Sequence, residues 1–138
     1  MSGEFVNTNI LLYAHDSNAG PKHERAVDLV QRLWNSGEGI LSTQVLQEFA
    51  FNLSRKSRPA LSIEEVRLRV LLYSQWSVVA NTPATVVRAI DLQSQFGISF
   101  WDALIVGAAS TSGADILYSE DLSDGNVYGS VGVANPFK

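Results

Sequence analysis

The sequence predicts an α/β fold in which helices cover both faces of a parallel β-sheet. Short apolar segments alternate along the chain with longer segments whose apolar residues recur at helical spacing. The short segments are continuous apolar runs, as is typical of strands that are buried on both faces. The 138 residues, 46% of them hydrophobic and 17% charged, suffice for one domain that buries its own core. We therefore expect a single domain over residues 1–138.

Each expected element has a recognisable pattern or end. The five apolar runs that predict strands are residues 5–6, 39–42, 76–80, 116–118 and 131–134. Pro21 and Pro83 stand where a first helical residue is expected, and Ser62 and Glu65 have the spacing of a capping box. The sequence thus predicts a short helix after residue 9 and longer helices over residues 21–36, from 43 to about 56, from 62, from 82, and from 99 to about 113.

The composition excludes several kinds of site. Without cysteine, the chain cannot form disulfides, thiolate zinc sites or iron-sulfur clusters, and only His15 and His23 could supply imidazole ligands. Ten basic and 14 acidic residues give a net charge of −4, so any contact with nucleic acid must be local. Phosphate-loop, esterase-elbow and dinucleotide motifs are missing. With no expected signal peptide or membrane span, we expect a cytoplasmic protein that does not enter a membrane.

Polar residues interrupt the apolar elements at four places. These are Asn7-Thr8-Asn9, Glu48, Asp102 and the turn that begins Ser119-Glu120-Asp121. Each has an ordinary explanation: Thr8 or Asn9 could cap the next helix, Glu48 could be a solvated residue, and Asp102 could complete a capping box with Ser99. Acidic turns after strands are also common. Together, however, all four places can lie at the carboxyl ends of the strands, where ligands bind in such folds.

Clustered carboxylates at this position predict a cation. Ionised carboxyl groups within about 4 Å of one another repel by roughly 4 kcal/mol per pair at an effective dielectric constant near 20, so they protonate or recruit a cation. Oxygen ligands without cysteine, and with only two histidines in the chain, favour Mg²⁺ or Mn²⁺ over zinc or copper. A hard cation beside a groove is typical of enzymes that hydrolyse phosphodiesters.

Four motifs in register give this chain a family resemblance. They are Val6-Asn7-Thr8-Asn9-Ile10-Leu11, the segment Ser42–Glu48, Phe100-Trp101-Asp102-Ala103 and Ser119-Glu120-Asp121-Leu122, followed by Asn135-Pro136-Phe137. In this order and spacing the chain resembles PIN-domain ribonucleases, in particular the VapC-like toxins of bacterial toxin-antitoxin pairs. The resemblance covers nearly the whole chain.

The resemblance implies a fold, a reaction and partners. The fold is a three-layer sandwich with a parallel sheet of about five strands, and the reaction is endonucleolytic cleavage of RNA by water activated by Mg²⁺ or Mn²⁺. The partners implied are a second copy of the chain, in a homodimer, and an inhibitory antitoxin protein. Carried over by position, the catalytic and metal-binding residues are Asn7, Glu48, Asp102 and Asp121, with Asp124 as a fifth metal candidate and Thr8 and Ser119 in support.

Asn7 departs from the family pattern, which has aspartate at this position. The amide keeps one acceptor oxygen but lacks the negative charge of a carboxylate. Three explanations stay open: a deliberate substitution that silences a toxic nuclease, a natural pseudo-enzyme, or a site that tolerates the amide. Since the other motif residues are intact, we favour the first, and we expect weak metal binding and poor cleavage.

The remaining sequence features concern RNA binding and aromatic packing. Arg55, Lys56 and Arg58 form one local concentration of positive charge, and Lys22, His23 and Arg25 form another. Either could hold RNA, although cations at a helix end also interact favourably with the helix dipole. The tryptophans are expected to pack in the core, whereas Phe51 falls outside the apolar arc of its helix.

Two phosphate-handling folds compete with the nuclease interpretation, but the sequence gives them little support. A receiver domain needs adjacent acids after the first strand, and a haloacid-dehalogenase-type phosphatase needs two aspartates there, where this chain has Asn7 and Asn9. The stronger alternative is a catalytically inactive module that binds RNA or a partner protein, whose remaining acids are structural.

Overall fold

The structure is a computed structural model that describes residues 3–56 and 60–138, apart from the side chain of Lys56. The strands are β1 (Gly3–Val6), β2 (Gly39–Ser42), β3 (Ser77–Val79), β4 (Ala114–Tyr118), β5 (Val127–Tyr128) and β6 (Val131–Ala134). The helices are α1 (Thr8–Ala14), α2 (Pro21–Ser36), α3 (Thr43–Lys56), α4 (Ile63–Tyr73), α5 (Pro83–Phe96) and α6 (Phe100–Thr111).

The strands form one sheet in the order β3-β2-β1-β4-β6-β5. Every neighbouring pair is parallel except β5 and β6, so the predicted parallel sheet flanked by helices is confirmed. The five predicted strands omit β5, which has only two residues and runs antiparallel at the sheet edge. A two-residue turn, Gly129-Ser130, connects it to β6, and Gly129 there has a φ of 63°. A strand of two residues is too short to show a periodicity.

The carboxyl ends of β1 and β4 lie side by side at the centre of the sheet. Val6 is the register partner of Tyr118, and the backbone N–H of Asn7 donates to the carbonyl of Tyr118 over 3.0 Å. Because both strands end at this pair, the residues that follow them, Asn7 and Ser119, leave the sheet at the same place. The topology thereby brings two of the four polar segments together.

The helices begin at the expected capping residues, except that α1 has a different cap. The capping box of Ser62 and Glu65 is confirmed, and Thr82 caps α5 directly before Pro83. Asn7 caps α1, because its side chain accepts a hydrogen bond from the N–H of Thr8, so the expectation of Thr8 or Asn9 as the cap was wrong. Strand β1 ends at Val6 and helix α1 begins at Thr8, with Asn7 between them. Within the described ranges, no helix is long and apolar enough to cross a membrane.

The core confirms most of the expected burial but not all of it. Residues 103–109 of α6 are buried, yet Trp101 in its first turn is 63% exposed. Trp76 is buried and Trp34 is partly exposed, whereas the expectation that Trp101 packs in the core was wrong. Phe51 is 60% exposed, in agreement with its place outside the apolar arc.

An aromatic cluster joins α1, α3 and α4. The rings of Phe49 and Tyr73 pack edge to face with centroids 5.4 Å apart, and His15 packs against both. The Arg69 guanidinium donates to Nδ1 of His15 over 3.2 Å, so Nε2 of this histidine donates to the Tyr73 hydroxyl over 2.7 Å. Burial, with the nearby charge of Arg69, lowers the pKa of His15 to about 4. The imidazole is therefore neutral at pH 7 and belongs to the core.

Candidate functional site

Asn7 and Ser119 form the floor of the candidate site. Both are buried, and the amide nitrogen of Asn7 donates to the Ser119 hydroxyl over 3.0 Å. The amide oxygen accepts from the backbone N–H of Thr8 over 2.7 Å. Ser119 also accepts from the backbone N–H of Asp121 over 3.1 Å. One hydrogen-bonded chain therefore connects the end of β1, the end of β4 and the turn that carries Asp121.

Glu48 is held toward this floor from two sides. The Thr8 hydroxyl donates to Oε1 of Glu48 over 2.6 Å, and the buried Gln44 amide donates to Oε2 over 3.4 Å. The same Gln44 amide nitrogen also donates to the backbone carbonyl of Trp101 over 3.3 Å. Since Asp102 follows Trp101, these contacts fix the Glu48 carboxylate close to the first turn of α6.

Asp102 lies in the first turn of α6, where half of the expected capping box is present. Ser99 caps the helix and accepts from the backbone N–H of Asp102 over 3.1 Å. Within the described part of the chain, the Asp102 carboxylate does not accept the reciprocal hydrogen bond from the backbone N–H of Ser99 that would complete the box. The carboxylate is therefore not committed to capping.

Asp121 shows that the three carboxylates share one electrostatic environment. Burial raises the pKa of Asp121, and the charges of Asp102, Glu120 and Glu48 raise it further. A hydrogen bond from the Asn9 amide acts in the opposite direction and lowers the pKa of Asp121. The salt bridges between described residues join Glu120 to Lys22 and Glu4 to Arg32, so the carboxylates of Glu48, Asp102 and Asp121 have no ion-pair partner there. These three carboxylates therefore concentrate negative charge in the site.

The donor chemistry of this cluster fits a hard divalent cation. Three carboxylates and the Asn7 amide offer oxygen ligands, the type that Mg²⁺ and Mn²⁺ prefer. Oε1 of Gln44 is buried without a hydrogen bond among residues 3–56 and 60–138. Buried polar atoms normally have a partner, which a metal-bound water could provide. No three histidine or acidic side chains of the described chain are arranged as a ready-made metal site, so metal binding by Glu48, Asp102 and Asp121 stays a prediction.

The other predicted site residues have different surroundings. Asp124 is exposed and accepts from the backbone N–H of Asn135 over 2.8 Å, so its place as a fifth ligand stays a prediction. Arg55 lies over the ring of Phe51, 4.8 Å from the centroid. The side chain of Lys56 and all of Arg58 lie outside the described residues. The basic patch that these three residues were expected to form therefore stays a prediction as well.

The sequence interpretation missed Gln44 and the partners of Glu120. Gln44 lies four residues before Glu48, a spacing that places both on one helix face and could have identified it. Glu120 bonds with Lys22 and Tyr13, which are 98 and 107 residues away in sequence. No local signal in the sequence predicts contacts of that separation.

The raised pKa of Asp121 predicts how its replacement affects stability. The folded protein binds a proton at Asp121 more tightly than the unfolded chain, so ionisation of this group destabilises the fold. The penalty is absent below the ordinary pKa of 3.8 and grows as the pH rises through the folded value. With a chelator present, Asp121→Asn should therefore raise the melting temperature at pH 7, by a small amount because Asp121 is exposed and solvent screens its charge.

Thermal unfolding followed by circular dichroism between pH 4 and pH 8 measures this effect. The gain should shrink as the pH falls toward 3.8. Addition of Mn²⁺ should stabilise the parent chain and leave Asp121→Asn almost unchanged. A gain that does not vary with pH would contradict the electrostatic explanation.

Comparison with known proteins gives a family match and several structural matches. The family model of the PIN domain matches residues 5–123. No curated protein sequence matches the chain. The Mycobacterium tuberculosis toxin VapC20, described as cleaving the sarcin-ricin loop, aligns with a TM-score of 0.64 at 22% identity over 86% of this chain and 90% of that one.

Two further solved structures are also similar. A toxin-antitoxin complex from Klebsiella pneumoniae aligns with a TM-score of 0.72 at 15% identity, covering 97% of this chain and 98% of that chain. The structure of FitAB bound to an IR36 DNA fragment aligns with a TM-score of 0.69 at 16% identity, covering 97% and 95%. At these identities the likeness concerns the fold.

Proposed function

This chain belongs to the PIN domain family, and on that basis we propose that it is an endoribonuclease, the toxin of a VapC-like toxin-antitoxin pair. The observation that carries the proposal is the environment of Asp121. Its carboxyl group shares a negative field with Asp102 and Glu48 at the carboxyl ends of β1 and β4. A fold needs no such cluster, whereas a phosphodiesterase that uses a cation does.

In this proposal Asn7, Glu48, Asp102 and Asp121 hold Mg²⁺ or Mn²⁺. The ion would supply an activated water and neutralise charge on the phosphoryl oxygens. The protein's own contribution is positioning: Thr8 and Gln44 hold the Glu48 carboxylate, and Ser119 links the turn of Asp121 to position 7. The helix cap formed by Asn7 fixes its amide at the end of β1.

The Asn7 amide is proposed to impair this activity without disturbing the fold. Aspartate is also a favourable helix cap, so its carboxylate could accept the same bond from the N–H of Thr8. The Ser119 hydroxyl, which now accepts from the Asn7 amide, could rotate and donate to a carboxylate. An aspartate at position 7 is therefore compatible with every hydrogen bond of the floor, and it adds a negative charge.

The neighbours in fold support a protein partner. The Klebsiella structure is a toxin-antitoxin complex, and we propose that this chain also binds an antitoxin and pairs with a second copy. Helix α4 presents exposed apolar side chains that such partners could cover, namely Ile63, Leu68, Leu71 and Leu72. We also propose that residues 1–138 form one domain, because β5 and β6, beyond the matched segment, complete the same sheet.

Cleavage of single-stranded RNA in Mn²⁺ tests the proposed reaction. Asn7→Asp should cut a labelled RNA pool at least about tenfold faster than the parent chain. The reason is that a full charge about 4 Å from a cation contributes on the order of 4 kcal/mol at an effective dielectric constant near 20. Omission of Mn²⁺ should abolish the cleavage. If neither protein cuts RNA but both bind it, the inactive RNA-binding module becomes the better interpretation.

A further inference from the structure

A lysine lies at the edge of the acidic cluster. The ammonium group of Lys22, the second residue of α2, forms a salt bridge with Glu120, which directly precedes Asp121. The Tyr13 hydroxyl donates to the other oxygen of Glu120 over 2.7 Å. The side chain of Lys22 is 43% exposed and that of Glu120 is 26% exposed. A cation that solvent can reach is thereby held by Glu120, the residue before the proposed metal ligand Asp121.

Two aromatic rings hold this ammonium group independently of Glu120. The nitrogen lies 5.0 Å from the ring centroid of Tyr13 and 5.6 Å from that of Phe137. The two rings pack edge to face, 5.2 Å apart, and join α1 to the end of the chain. Cation–π contacts of this kind favour a positive charge over the rings. Lys22 would therefore keep its position if another anion replaced Glu120.

The bridge adds little to the stability of the fold. Salt bridges between partly exposed side chains contribute little to stability, because solvent screens the charges and both side chains lose conformational freedom. An ammonium group has three donors, and Glu120 and the Tyr13 hydroxyl account for two of them. The arrangement thus leaves donor capacity beside a site that must accept a phosphate group.

We propose that Lys22 binds a backbone phosphate of the RNA strand next to the cleavage site, and that Glu120 is its counterion when no RNA is bound. This inference rests on the proposed ribonuclease function and deepens it. The chain has a net charge of −4 and a cluster of carboxylates, both of which repel RNA. A phosphate that takes the place of Glu120 gains the attraction of the lysine charge, which offsets part of this repulsion.

Opposite effects of two substitutions test this proposal. Binding of a fluorescein-labelled single-stranded RNA of about 20 nucleotides is measured by anisotropy in Ca²⁺, with the parent chain, from about 50 to 300 mM KCl. Lys22→Gln should weaken binding about tenfold and reduce the slope of log affinity against log salt by about 0.7, the value for one phosphate contact on a single strand. Glu120→Gln should strengthen binding several-fold, because it removes the competing anion.

Three controls separate the explanations. Lys22→Arg should restore binding, Arg67→Gln on the exposed surface of α4 should change nothing, and the double variant Lys22→Gln/Glu120→Gln should bind as Lys22→Gln does. If the parent binds RNA but Lys22→Gln keeps its affinity and salt slope, the proposal is wrong while the ribonuclease function stands. Weaker RNA binding by Glu120→Gln would contradict the proposal that Glu120 competes with the RNA phosphate for Lys22. If the parent binds no RNA, this inference fails, and the cleavage of RNA by Asn7→Asp decides separately whether the proposed function stands.

Discussion

Glu48→Gln, introduced into the Asn7→Asp protein, is expected to lower the rate of RNA cleavage in Mn²⁺ about 1000-fold. The glutamine keeps the size of the side chain but removes a full charge from the proposed ligand set, a loss on the order of 4 kcal/mol at an effective dielectric constant near 20. It also keeps an oxygen that can accept from Thr8, so the contacts of α3 with α1 should persist. Single-turnover cleavage of a labelled RNA measures the effect.

A matched control separates chemistry from general loss of charge. Glu64→Gln removes the same charge from the exposed first turn of α4, away from the candidate site, and should leave the cleavage rate unchanged. Circular dichroism should show that both variants are folded. Equal rates for Glu48→Gln and Glu64→Gln would remove Glu48 from the catalytic site.

Phe49→Ala is expected to lower the free energy of unfolding by about 3 to 5 kcal/mol. Phe49 is fully buried, and its ring packs edge to face against both His15 and Tyr73. Truncation leaves a cavity among these rings, and a rigid aromatic cluster closes such a cavity poorly. Urea denaturation gives the free energy, and the m-value should stay close to that of the parent.

Phe51→Ala is the control for this loss, because Phe51 lies on the same helix with its ring 60% exposed. It should cost less than about 1 kcal/mol. Substitutions at these adjacent positions should therefore change different properties. Glu48→Gln lowers the cleavage rate and leaves the free energy of unfolding nearly unchanged, whereas Phe49→Ala lowers the free energy of unfolding. A loss below about 1 kcal/mol for Phe49→Ala would mean that the aromatic cluster does not support the core.

The sequence predicts the main elements of the fold because their signals are local. Pro21, the Ser62 capping box and the apolar strand runs each act over a few residues, and the structure contains the corresponding helices and strands. The two-residue strand β5 could not be predicted, since it exists through pairing with β6. The exposure of Trp101 was also missed, because an apolar helix pattern does not show which of its residues lack a neighbour.

The candidate site is predictable in its residues but not in its contacts. Motif order identified Asn7, Glu48, Asp102 and Asp121, and the structure gives the last three a shared electrostatic field. The hydrogen bond of the Asn7 amide with Ser119 depends on the pairing of β1 with β4, which are far apart in sequence. The bridge from Lys22 to Glu120 likewise depends on how α2 packs beside the end of β4. Such contacts follow from the tertiary structure alone.

Calorimetric titration with Mn²⁺ measures whether position 7 and the three carboxylates form a single cation site, as we propose. Asn7→Asp should bind one Mn²⁺ per chain at least about tenfold more tightly than the parent, because it restores a negative charge to the ligand set. Adding Asp121→Asn to Asn7→Asp should remove that gain. Equal affinities for the parent, Asn7→Asp and the double variant would contradict the account, since the charge at position 7 would then not act on the metal.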